Sequence, residues 1–258
     1  MEEKGVDTLA PGGVVPFKID QEKAGFNFKS WIKGKLFCPK EAKIKAKPSS
    51  FKGVYIPFWT FDAQTSSHYS ARYGKHRRVK DKDGKVRTET DWYNTSGHHS
   101  EFINDQLILG STQHDEYLLR GIEPFNTEDN VAYKPEYIAG FASERYSIGL
   151  KDAWERAKNF IRDKLIGSVT SKVRREKNAD TVASVNLSTT YSDVTYKYLL
   201  LPVWMSSFKY KGKVYKFIVN GQTGKVAGKI PISPIRVAIA VIIGIVLIAL
   251  FLYFFNGQ

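Results

Sequence analysis

The spacing of apolar residues changes character several times along the chain, and each change predicts an element. Between Asp20 and Lys33, Ala24, Phe28, Trp31 and Ile32 fall near one face at helical period, with Asp20 placed to cap the first turn and Gly34 to end the last. A Lys-rich stretch follows, in which Pro39 and Pro48 limit regular structure. Gly53 to Gly74, GVYIPFWTFDAQTSSHYSARYG, is dense in aromatic and β-branched residues and predicts a strand. Asp83-Gly84 predicts a hairpin turn into a second strand around Lys85 to Ile103. Residues 115–147, interrupted by Pro124 and Pro135, predict short helices joined by loops. Leu150 to Ile166 predicts a firmer helix, with Ala153, Trp154, Ala157, Phe160, Ile161 and Leu165 as its apolar stripe and Gly167 as its end. Val185, Leu187, Thr189 and Tyr191 then alternate with polar residues, the period of a half-buried strand. Tyr196–Tyr210, Lys213–Asn220 and Lys225–Gly228 continue as a meander with turns at Lys211-Gly212 and at Asn220-Gly221 or Thr223-Gly224.

The last apolar run is of a different kind. Val237 to Phe255, VAIAVIIGIVLIALFLYFF, is uncharged over nineteen residues. At about 1.5 Å per residue a helix of this length covers roughly 28 Å, close to a bilayer's hydrocarbon core. Lys225, Lys229 and Arg236 precede it and no charge follows, so the positive-inside rule places the large N-terminal part in the cytoplasm. The opening MEEKGVDTLAPGG has no apolar core and does not read as a secretory signal. The expectation is a tail-anchored, single-pass protein of the cell membrane.

The element pattern predicts an α+β fold: two related units, each a helix plus an antiparallel sheet, followed by one C-terminal transmembrane helix. The expected division is a flexible lead-in over 1–13, a first unit with its helical and loop connector over 14–146, a second unit of helix plus β-meander over 147–231, and the transmembrane helix over 235–255. Relatedness rests on YIPFW (Tyr55–Trp59) matching LLPVW (Leu200–Trp204), each after a helix and each leading into further strand-like sequence. Coincidence is the alternative reading of so short a match. Proline cannot donate to a ladder, so Pro57 and Pro202 are expected at edges or bulges, with Trp59 and Trp204 buried beside them.

Composition narrows the function classes. With 258 residues and many aromatic and β-branched side chains, the chain buries a core and is not intrinsically disordered. One cysteine excludes a disulfide framework. The net charge of +13 is uneven. Lys75, Arg77, Arg78, Lys80, Lys82, Lys85 and Arg87 lie on the expected hairpin. Lys33, Lys35, Lys40, Lys43, Lys45 and Lys47 form a second group, and Lys172, Arg174, Arg175 and Lys177 a third. A solvated surface is the plain reading. Attraction to anionic lipid, about 1 kcal/mol per basic residue near the surface, is the first functional one. Nucleic acid, with aromatics interleaved among the basics to stack bases, is the second.

Candidate chemistry is sparse. GQTGKV (Gly221–Val226) lacks the first glycine and the Ser/Thr of a phosphate loop and precedes a strand pattern, so a β-turn is the better account. His68 can meet His98 or His99 across the hairpin, although hydrogen-bonded or surface histidines are commoner. Cys38, among Lys33, Lys35 and Lys40, has neighbours that favour a thiolate, but a nucleophile also needs a base that sequence does not show. Asp62, Asp91, Glu101, Glu123 and Glu144 have no spacing that marks an acid/base pair.

PFKID near the start, GVYIPFWTFD, AGFASERY, LLPVW and YKFIVNGQTGKVAGKIP, in this order and followed by an apolar segment, resemble a family of bacterial zinc-ribbon-containing membrane proteins. The resemblance runs from about Val14 to Arg236 and marks Pro57, Trp59, Pro202, Trp204, Asn220, Gly221 and Gly224 as motif positions. That family's biochemical function is not established, and some members carry a helicase or primosomal-protein name. Zinc ribbons usually precede the matching region, and this chain begins where they would end. The resemblance therefore implies zinc only in an upstream ribbon, because Cys38 alone cannot supply the roughly four ligands of a structural site. The expected function is a non-enzymatic, membrane-tethered scaffold, adaptor or ligand-binding protein. Its expected partners are the membrane, anionic lipid and a protein of unknown identity. The alternative is a nucleic-acid-associated protein at the membrane.

Overall fold

The computed structural model describes residues 9–80, 82 and 84–256. Most of the expected lead-in and Asp83 of the expected Asp83-Gly84 turn lie outside the described residues. Along the chain come β1 (Gly13–Val14), α1 (Gln21–Lys33), α2 (Lys40–Lys45), β2 (Lys52–Lys80), β3 (Val86–Leu109), α3 (Glu116–Gly121), β4 (Val131–Ala132), β5 (Ala142–Ser143), α4 (Leu150–Lys177), β6 (Thr181–Tyr210), β7 (Lys213–Asn220), β8 (Val226–Gly228) and α5 (Pro234–Asn256). Two short 3-10 helices, Thr127–Asp129 and Pro135–Ile138, lie in the connector that follows α3. The fold is mixed α/β, with a large sheet and one apolar C-terminal helix.

Two compact units divide the chain, and they interleave. The first comprises the residues up to Gly13, Pro57–Thr112 and Arg145–Leu199; the second comprises Val14–Ile56, Gln113–Glu144 and Leu200–Gln258. The expected boundary at 146/147 separates no units, because β2 and β6 each contribute residues to both. Leu9 and Gly12 of the expected lead-in hydrogen-bond to Tyr146 Oη and the Tyr198 carbonyl.

In the first unit β2 and β3 pair antiparallel from Phe58↔Leu109 to Lys80↔Val86, with a bulge between Phe61 and Ala63. On one face Ala63, Thr65, Ser67, Tyr69 and Ala71 are buried. Helix α4 covers Tyr69 and Ala71 with Val169 and Val173, the far end of a stripe that begins Ala153, Ala157, Ile161, Leu165. Gly167 does not end this helix. Its stripe continues with Val169 and Val173, outweighing the roughly 1 kcal/mol a mid-helix glycine costs, and the helix stops only where Asn178 turns left-handed. The start of α4 is tied down by a chain of bonds. The Pro57 carbonyl accepts from Gly110 N at 2.8 Å, and the Gly110 carbonyl accepts from Ser147 N at 2.8 Å and Ile148 N at 3.0 Å. Trp59, opposite Ile108, donates its indole N–H to the Ile148 carbonyl at 2.9 Å.

The second unit has the same chain of bonds with other residues. The Pro202 carbonyl accepts from Gly221 N at 2.8 Å, and the Gly221 carbonyl accepts from Lys18 N at 2.9 Å and Ile19 N at 2.8 Å. Trp204, opposite Val219, donates its indole N–H to the Ile19 carbonyl at 2.7 Å. Asp20 then caps α1 by accepting from Lys23 N, and Ala24, Phe28 and Ile32 enter a core with Trp204, Phe208, Phe217 and Val219. Phe28 stacks on Phe217 with ring centroids 3.8 Å apart.

Both sheet prolines sit where a strand changes partners, so no ladder bond is asked of their nitrogens. Strand β2 pairs with β5 at Val54–Tyr55 and with β3 from Phe58 onward; β6 accepts from Val15 N at Leu200 and pairs with β7 from Val203 onward.

Candidate functional site

Helix α5 is the first candidate. Pro234–Phe255 has a mean hydropathy of 3.1, and none of its most apolar window is buried. A core helix hides such a surface; this one exposes Ile239, Ile243, Leu247 and Phe251 alike, so it is long and apolar enough to cross a membrane. Its base is bonded to the loop after α1. Ser233 N donates to the Phe37 carbonyl at 2.9 Å, and Arg236 Nη1 donates to the Leu36 carbonyl at 2.8 Å. Leu36 and Ile235 are 70% and 73% exposed at this base, with Ile232 also exposed. Lys33 and Lys40 are exposed on either side of the loop. The flanking cations of the sequence reading are engaged within the fold. Lys229 pairs with Asp115 at 3.0 Å, Lys225 donates to the Glu123 carbonyl, and Arg236 holds Leu36.

The basic hairpin partly neutralises itself. Arg77 pairs with Glu89 at 2.9 Å and Asp91 at 3.1 Å, and Arg87 with Glu89 at 2.8 Å. Lys75, Arg78, Lys80, Lys82 and Lys85 are exposed. On the sheet face away from α4, Arg72 lies over the Trp92 ring at 4.9 Å. The same face carries Ser66, His68, Ser70, Ser96, His98 and Ser100.

The motif Asn220-Gly221-Gln222-Thr223-Gly224 is a structural clasp. The Asn220 carboxamide oxygen accepts from Gln222 N and Thr223 N, and its nitrogen donates to the carbonyls of Ile122 and Pro124. The Gln222 side chain exchanges bonds with both backbone groups of Asn126 and reaches Asp129 at 2.7 Å. Gly224 is left-handed, with φ +77, and its carbonyl accepts from Asn27. Asn126, Asp129 and Gln222 were not legible as partners in the sequence, since nothing local joins them.

Cys38 is fully buried. Burial pushes its thiol pKa up against the opposing pull of Lys43 and Arg236, so the basic neighbours do not yield a thiolate. His114 Nε2 meets Glu144 Oε1 at 2.7 Å, yet among the described residues no hydroxyl or thiol hydrogen-bonds to its other nitrogen. Both line or adjoin a cleft of about 550 Å3 in the second unit, with Leu118, Leu119 and Phe217 below and Ser206, Ser207 and Lys216 at the rim. Such a cleft suits a small ligand with an apolar body and a polar end.

The chain is 30% identical over 232 residues to "Uncharacterized protein YdjG" of Bacillus subtilis (strain 168), a match covering 89% of this chain and 66% of that protein. The chain thus spans just under two thirds of that relative's length. No protein-family model matches the chain. No solved structure matches it.

Proposed function

We propose that this protein is a single-pass, membrane-anchored scaffold without enzymatic activity, holding two related α/β units against the cytoplasmic face. The observation that carries this reading is the apolar helix α5, none of whose most apolar window is buried, bonded at its base to a loop that presents Leu36 between lysines. That combination suits a polypeptide leaving the bilayer. Leu36, Ile232 and Ile235 enter the interface, while Lys33, Lys35 and Lys40 meet anionic headgroups, each contributing about 1 kcal/mol near the surface.

The relatedness of the units is supported by the matched bonds. Pro57, Trp59, Gly110, Ser147 and Ile148 play in the first unit the parts of Pro202, Trp204, Gly221, Lys18 and Ile19 in the second. Buried positions match too: Ala153, Ala157 and Ile161 of α4 follow Ile148 at the intervals by which Ala24, Phe28 and Ile32 of α1 follow Ile19. Helix α4 closes on the β2–β3 hairpin and α1 on β6–β7, so each repeat lends its helix to the other repeat's hairpin.

The test is topology in living cells. A reporter at Met1 is expected to be cytoplasmic and the protein to resist extraction from membranes by carbonate. Labelling of the units from outside intact cells overturns the orientation, and recovery in the soluble fraction overturns the anchor. A second reading, single-stranded nucleic acid on the open face of the first unit, is favoured by Arg72 over Trp92 with Arg78 and Lys80 exposed nearby. Salt-dependent binding to oligonucleotides that Trp92→Ala abolishes would support it; equal binding to anionic vesicles and oligonucleotides counts against it.

A further inference from the structure

His68 on β2 and His98 on β3 are directly opposite in the antiparallel register, with ring centroids 4.9 Å apart. Both are exposed on the face that α4 leaves open. Among the described residues, His98 Nε2 has one partner, Ser66 Oγ at 2.9 Å, and His68 has none. We infer that this pair is a two-histidine chelate for a late first-row divalent cation, of the copper, nickel or zinc class.

The separation carries the argument. An imidazole nitrogen binds such an ion at about 2.0–2.1 Å, and the ring centroid lies about 1.1 Å further on, so each centroid sits roughly 3.2 Å from the metal. Two imidazoles in neighbouring positions, subtending about 90–110° at the ion, therefore hold their centroids roughly 4.5–5.2 Å apart. The observed 4.9 Å lies inside that interval without movement of either strand. What remains is rotation about the terminal side-chain torsion, which is soft for imidazole, and exchange of the Ser66 bond for a metal bond. Imidazole donors suit copper, nickel and zinc, and the neighbouring Ser70, Ser96 and Ser100 crowd the site little and add no carboxylate that would draw magnesium or calcium instead. Among the described residues no group of three or more His, Cys, Asp or Glu is placed to hold a metal. The pair is thus an open site, whose remaining positions go to water or to donor atoms of a docked molecule.

The test uses the full chain in detergent, free of any affinity tag, titrated with Cu2+ and followed by calorimetry and by electron paramagnetic resonance. One equivalent is expected to bind in the micromolar range, with nitrogen hyperfine structure from two imidazoles. His68→Gln and His98→Gln are each expected to weaken that equivalent at least tenfold and to remove one nitrogen from the spectrum. His76→Gln, on the same hairpin, is expected to leave both unchanged. All three positions are exposed, and unchanged circular dichroism establishes that the variants fold. Saturable one-to-one binding that survives the double His68→Gln/His98→Gln variant overturns the assignment, as does the absence of a one-to-one equivalent in the parent chain.

Discussion

Replacing Trp59 or Trp204 tests the packing logic of both units at once. Trp59 is fully buried among Tyr146, Tyr198 and Tyr196, with centroids 5.2, 5.3 and 6.2 Å away. Trp204, 8% exposed, packs against Phe17 at 4.9 Å and Phe141 at 6.0 Å. Truncation to alanine removes the whole ring system and leaves a cavity, at a cost of about 3–5 kcal/mol. Phenylalanine keeps most of the volume but deletes the indole N–H and leaves the Ile148 or Ile19 carbonyl without its donor, so about 2 kcal/mol is expected. Domains of this kind hold only about 5–15 kcal/mol in total, so either alanine variant consumes a large share. Urea unfolding of the full chain in detergent, read by circular dichroism, measures this, because a micelle-embedded α5 stays helical and the change reports the two units. An alanine variant costing less than about 1 kcal/mol would refute the account, as would phenylalanine variants as stable as the parent, because the indole–carbonyl bond would then contribute nothing.

Three further outcomes are expected. Deleting residues 235–258 should release a folded soluble protein, since among the described residues no core residue lies on α5; aggregation with loss of the native circular dichroism would argue otherwise. The hydrogen bond from Lys229 holds the Asp115 carboxyl below its ordinary range, so its contribution is present above the usual carboxylate pKa and lost as pH falls through the depressed value. Asp115→Asn, which keeps a helix cap, should therefore lower the urea midpoint at neutral pH and leave it unchanged in strong acid. Burial raises the Glu123 pKa, which favours the folded state at low pH and loses that contribution as pH rises through the raised value, so Glu123→Gln should stabilise the protein at neutral pH and not in acid.

The elements that the sequence revealed are those whose signal is local. Helix α1 announced itself by a cap, a stripe and a stop, and its observed bounds, Gln21–Lys33, follow them. The apolar run of α5 needed only its length. Strand β2 was legible as one run from Gly53 to Gly74, whereas β6 was legible only in two pieces, Val185–Tyr191 and Tyr196–Tyr210, because Ser192, Asp193 and Val194 between them break the alternation, Asp193 with a left-handed backbone, while the strand continues. The match of YIPFW with LLPVW was visible, but its meaning in the fold was not. Which helix closes on which hairpin is decided by contacts between residues distant in sequence, Lys172 with His98 in one case and Phe28 with Phe217 in the other. The pairing of His68 with His98 was open to sequence as one of two options, because the register about the hairpin turn chooses between His98 and His99.

The closing of α1 on β6–β7 has a consequence for how the chain comes to be folded. The indole of Trp204 reaches a carbonyl 185 residues earlier, and the Phe28–Phe217 stack closes a loop of similar length. Contacts this distant in sequence slow folding, since the entropy of closing the loop is spent before the contact returns anything. During synthesis α1 emerges well before β6–β7, the hairpin that covers its apolar face. Over that interval the nascent chain carries an uncovered amphipathic helix, and the core around Phe28 forms only once β7 has been made.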